Sequence, residues 1–114
     1  MNGTMEQERL TVIAVAEPGQ QVELVRGTEQ GLLARLAPLV RRESVSLDMS
    51  AVERIDAAGL AALISLYCDA CKSGHTFKVA RPGRHVREIL LLVGLDRILL
   101  SGEGGGMRLE QTAA

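Results

Sequence analysis

Between residues 44 and 80 the hydrophobic period changes twice, from two to 3.6 and back to two. "SVSLDM" (44–49) alternates, with Val45, Leu47 and Met49 on one side and Ser44, Ser46 and Asp48 on the other. That pattern is a strand, because successive side chains of an extended backbone point to opposite faces. After "SAVERI" (50–55), read as a loop, Leu60, Leu63, Ile64, Tyr67, Cys68 and Cys71 recur at helical spacing, and Gly74 is placed to end the helix. "TFKVA" (76–80) reads as a second strand. A strand, a helix and a strand in that order predict parallel pairing through a right-handed crossover.

The flanking segments extend this unit. "LTVIAVAE" (10–17) and "QQVELVR" (20–26) are short and rich in β-branched residues, with "PGQ" at their junction. They predict two strands joined by a tight turn, which would add an antiparallel edge strand. Thr28 is placed to cap the next helix, Glu29 suits its positive end, and Leu32, Leu33, Leu36 and Val40 form its buried stripe. Pro38 predicts a kink or restart there. "RPG" (81–83) leads into a helix with Val86, Ile89, Leu90 and Val93 inward, ended by Gly94, with Leu95 placed to close that end. "DRILL" (96–100) reads as a short strand or turn. The fold class is α/β, a mixed and mostly parallel sheet of about four to five strands packed with helices.

At 114 residues the chain suits one domain. The expected organisation is a leader over 1–8, a domain over 9–100, and a Gly-rich link with a short tail over 101–114. Phe77 and Tyr67 are the whole aromatic complement, so a surface that stacks bases or sugars is not expected. The net charge of −1 supplies no field for a polyanion. Arg81, Arg84, His85 and Arg87 cluster, and they read as a solvated helix face rather than a nucleic-acid site. The most apolar run, "ILLLVGLDRILL" (89–100), is interrupted by Gly94, Asp96 and Arg97, so no insertion into a membrane is expected. The first ten residues lack the order of a secretory signal, and a cytoplasmic location is the expectation.

No catalytic, cofactor or metal site emerges from the chemistry-bearing residues. Cys68 and Cys71 form a C-x-x-C with His75 four residues on, but the pair falls near the C-terminal end of its helix, away from the end that stabilises a thiolate. A zinc site would need a fourth ligand, with His85 the only imidazole left. The pair therefore reads as small buried thiols continuing the inward stripe. "SGEGGG" (101–106) lacks the Gly-Lys-Ser/Thr of a phosphate loop and reads as a link. His75 and His85 have no nucleophile beside them. Asp48 and Asp56 flank one loop and would make only a two-carboxylate cation site, while helix capping accounts for Asp56. Among the hydroxyls Ser44, Ser46, Ser50 and Thr28, Ser50 is the most exposed candidate.

Three stretches carry a family resemblance. "LDMSAVERIDAAGLAAL" (47–63), "CKSGHTFKVA" (71–80) and "VREILLLVGLDRIL" (86–99) follow the order and spacing of a STAS domain (Sulphate Transporter and Anti-Sigma factor antagonist), which the chain resembles. The likeness spans most of residues 44–100, whereas "VRGTEQGLL" (25–33) lacks the Gly-x-Leu-Asp often found at the second strand's end in the family. The resemblance implies a non-catalytic protein-binding module. In bacterial anti-sigma factor antagonists the corresponding helix opens Asp-Ser-Ser-Gly or Asp-Thr-Ser-Gly, and a serine-kinase-like anti-sigma factor phosphorylates the hydroxyl after the Asp. By that likeness Asp56 matches the Asp, Ala57 the phosphoacceptor and Gly59 the Gly.

Alanine has no oxygen to phosphorylate, and Ala58 removes the neighbouring hydroxyl as well. The charge of about −1.5 to −2 that a phosphoryl group brings to such a surface cannot arrive at position 57. The expected partner-binding residues are Ser50, Arg54, Asp56, Ala57, Ala58 and Gly59, and the expected partner is an anti-sigma factor. Two other readings stand beside this one. The first is a STAS subunit of a bacterial ABC transport system for phospholipids, held by a permease and ATPase; the second is a small enzyme or nucleotide-binding protein.

Overall fold

Every strand pairing in the computed structural model, which describes residues 10–17 and 19–100, is parallel. The elements are β1 (Thr11–Ala14), β2 (Val22–Leu24), α1 (Glu29–Val40), β3 (Val45–Asp48), β4 (Val52–Ile55), α2 (Ala57–Lys72), β5 (Phe77–Ala80), α3 (Arg84–Leu92) and α4 (Asp96–Leu99). β3 is the central strand of a three-stranded sheet, order β1-β3-β5, with Ile13, Leu47 and Val79 in register. β2 and β4 form a second, two-stranded sheet. The α/β class with mostly parallel strands is as the sequence predicts.

The initial hairpin is not there. β1 pairs with β3 and β2 with β4, so the two opening strands belong to different sheets. Alternating residues mark a strand but say nothing of its neighbour, and the long-range parallel partner prevails over the short turn. "VERI" within the expected loop is β4, with only Val52 and Ile55 buried. "DRIL" forms the short helix α4, after which Leu100 makes an isolated parallel bridge to Val79. The readings of residues 1–8, Pro18 and 101–114 lie outside the described residues.

Side chains from both layers close the core. Val45, Leu47, Phe77 and Val79 on the sheet meet Leu36 and Val40 of α1, Leu63 and Leu66 of α2, and Val86 and Leu90 of α3. Of the predicted stripe α1 buries Leu32, Leu36 and Val40, with Leu33 only half-buried against the core, and the helix runs unbroken through Pro38. Pro38 lies in the last turn on the exposed side, where the Ala34 carbonyl left without its intrahelical donor can be hydrated instead. Thr28 occupies the N-cap position without capping: its hydroxyl accepts from the Val25 N–H at 2.9 Å and holds the loop instead.

α2 is turned relative to its predicted face. Gly59, Ala62, Leu63, Leu66 and Ala70 are buried, while Ile64, Cys68 and Cys71 are exposed. The buried set is displaced by one residue, about 100° around the helix. Small buried residues cause the shift. Ala62 and Ala70 let the helix approach its neighbours closely, and a count of large apolar side chains does not register them. Val93, expected inward, is likewise exposed, because α3 ends at Leu92. Gly74 and Gly94 end their helices at positive φ (78° and 79°), with His75 N–H bonding Ala70 O and Leu95 N–H bonding Leu90 O.

Candidate functional site

The β4–α2 junction is held by one carboxylate. Asp56 leaves β4 extended (φ −122°, ψ −170°) and is the N-cap of α2. Its Oδ1 accepts the Gly59 N–H at 3.0 Å, satisfying one of the helix's free amides. Its Oδ2 accepts the Arg26 N–H, also at 3.0 Å, from the loop after β2. The Asp56 N–H in turn donates to Leu24 O at 3.3 Å. Asp56 thus both caps α2 and ties it to the β2–α1 loop. The Arg26 and Gly59 amides favour the ionised form and hold the Asp56 carboxyl below the usual carboxylate range.

Gly59 permits this approach. A Cβ there would lie 2.8 Å from Ile55 Cγ1 and closer still to the Leu24 carbonyl oxygen. The strand backbone therefore rests where a side chain would begin. Gly59 is buried, so its contribution to any docking surface is the shape it allows. Ala57 is exposed beside it and Ala58 half-buried. Arg54, on the exposed side of β4, reaches Glu23 across the strand pair at 3.4 Å. An exposed pair of this kind contributes about 0–1 kcal/mol, which leaves Arg54 free to exchange partners.

Ser50 lies elsewhere. The whole of β4 separates it from Asp56, at most roughly 20 Å of extended chain. Its N–H donates to Asp48 Oδ1 at 2.9 Å, and Arg81 Nε lies 3.3 Å from Asp48 Oδ2. The Ser50 amide, opposed by partial burial and aided by Arg81, lowers the Asp48 pKa. Asp48 and Asp56 are therefore engaged at opposite ends of β4 and do not converge on a cation. Arg26, missed in the sequence, joins the site through its backbone, and no side-chain pattern signals that.

The remaining chemistry-bearing side chains among the described residues lie apart from this junction. His75 Nδ1 sits 3.1 Å from Val40 O, and His85 is exposed with Arg84 and Arg87 on α3. A cleft of about 530 Å³ opens between the sheets where the hairpin was expected, lined by Val15, Val22, Leu24, Leu32 and Arg35 among others. Arg35 there faces the Val15 and Ala14 carbonyls at 3.3 and 3.4 Å, and the lining includes Glu23 and Glu53 but no His or Cys. No group of three metal-ligating side chains occurs among the described residues.

The family model described as "Mlab, STAS domain" matches residues 21–101, more than half of the chain. The chain belongs to the STAS domain family. Among solved structures, the crystal structure of a "putative anti-sigma factor antagonist" from Thermotoga maritima superposes with a TM-score of 0.62 over 81% of this chain and 80% of that one. The two are 21% identical, so the likeness is one of fold. No curated protein sequence matches the chain. β1 precedes the family match and joins the three-stranded sheet through its pairing with β3. No helix among the described residues is long and apolar enough to cross a membrane.

Proposed function

We propose that this STAS domain is a non-catalytic, cytoplasmic binding module that docks an anti-sigma factor through the entrance of α2, with no phosphorylation switch at position 57. One observation carries the reading. Ala57 stands exposed at the helix start, directly after an aspartate whose two oxygens are both engaged by backbone amides. Asp56 presents a fixed carboxylate, Ala57 and Ala58 present methyl groups, and Gly59 sets the depth of the surface. Arg54 flanks it. Ser50, on the far end of β4, belongs to the footprint only if the partner spans that strand.

The physical consequence is a surface that stays competent to bind. Incubation with ATP and the cognate anti-sigma kinase adds no phosphate to residues 56–60, and the complex forms equally well before and after. A phosphopeptide mapped to Ser50, with loss of binding, would show control exercised from another hydroxyl. The second reading is a STAS subunit of a phospholipid ABC transport system, another setting in which a domain of this family binds a protein partner. It is distinguished by co-purification with a permease and ATPase rather than with an anti-sigma factor.

A further inference from the structure

The two cysteines of this chain stand on adjacent turns of α2, and both are exposed. Their exposure removes the reading of Cys68 and Cys71 as core-filling thiols. Residues three apart on a helix carry Cβ atoms about 5–6 Å apart on one side of the cylinder. An unstrained disulfide needs about 3.5–4.5 Å between Cβ atoms, so direct oxidation of the pair would distort the helix. Two collinear metal–thiolate bonds of the roughly 2.3 Å that zinc makes would span about 4.6 Å between sulfurs, which suits this spacing.

The neighbours decide which ion fits. A zinc site wants four ligands. Among the described residues no third His, Cys, Asp or Glu joins the pair to form a metal-binding group. His75 lies against the Val40 carbonyl, and Asp69 faces Arg41 at 3.4 Å. What remains is a pair of soft sulfur donors with a low coordination number, which selects a monovalent d¹⁰ cation over zinc, magnesium or calcium.

We infer that Cys68 and Cys71 form a two-coordinate thiolate site on the outer face of α2 for a soft monovalent cation of the Cu(I) class. Binding replaces two S–H bonds by two metal–sulfur bonds and releases two protons, with no change in oxidation state. The site is separate from the α2 entrance and does not depend on the partner proposed for it.

The test is anaerobic titration of the full chain with Cu(I) held by a chromophoric chelator. One copper per monomer is expected. Cys68→Ser and Cys71→Ser should each weaken binding at least about tenfold, because either change forfeits the second donor's effective concentration. Geometry is probed by moving one thiol. Cys71→Ser with Lys72→Cys keeps both sulfurs on one face and should restore binding, whereas Cys71→Ser with Ser73→Cys turns the second sulfur about 140° away and should not. Circular dichroism confirms that each variant retains its helices. Copper shared between two chains, single variants that bind as the parent does, or equal rescue by both relocations would overturn the assignment.

Discussion

Replacing Gly59 by alanine tests whether the α2 entrance is built as described. The new methyl group would be driven into the Leu24 carbonyl and Ile55 Cγ1. Leu24 O belongs to a strand backbone that also accepts the Asp56 N–H, so it cannot swing aside as a side-chain tip would. Relieving the overlap means displacing β2 or tilting the first turn of α2, at about 1–3 kcal/mol for overpacking. The Asp56 N–H bond to Leu24 is strained or lost, worth about 1 kcal/mol more. Alanine's better helix propensity returns about 1 kcal/mol. The net expectation is a destabilisation of about 1–3 kcal/mol, read as a fall in the urea midpoint of roughly 1–2 M. Gly31 is the internal control. It also lies in a helix, but a Cβ there meets nothing within 4 Å. Gly31→Ala should therefore stabilise the protein by about 0.5–1 kcal/mol. Equal urea midpoints for the two variants would refute the close approach of β2 to α2.

Further outcomes follow from the same geometry. Ala57→Asp places an acid at the positive end of α2 and should leave stability unchanged or raised by about 0.3–1 kcal/mol, while weakening the proposed complex with an anti-sigma factor at least about tenfold by burying an unpaired charge. Unchanged affinity in a binding titration would move the docking surface elsewhere. Asp56 and Asp48 both have depressed carboxyl pKa values in the folded protein. Their contribution is present above the ordinary carboxylate range and is lost as pH falls through the lowered values, so Asp56→Asn should flatten the acid side of a stability-versus-pH curve. Cys68→Ser and Cys71→Ser should change stability by no more than about 0.5 kcal/mol, whereas Ala70→Leu, between them in sequence but buried, should cost about 1–3 kcal/mol. Thermal or urea melts that ranked these in the reverse order would restore the cysteines to the core.

Local rules make much of this STAS domain legible in its sequence. The strands at 45–48 and 77–80 and the ends of α2 and α3 at Gly74 and Gly94 follow from period, capping and positive φ. Asp56 as N-cap follows likewise, since the amide it accepts lies three residues away. All of these are contacts between close neighbours in the chain, and their signals sit within a few residues. β1 and β2 look alike in sequence, yet their partners lie some thirty residues on, and only the assembled sheets assign them. The buried side of α2 depended on where Ala62 and Ala70 could approach other elements, which pattern alone misplaced by one residue. The second bond to Asp56, from Arg26, and the backbone resting on Gly59 are also long-range. A chain's local preferences are written in adjacent residues, but the free energy that chooses between two faces of a helix or two neighbours for a strand exists only once distant segments meet.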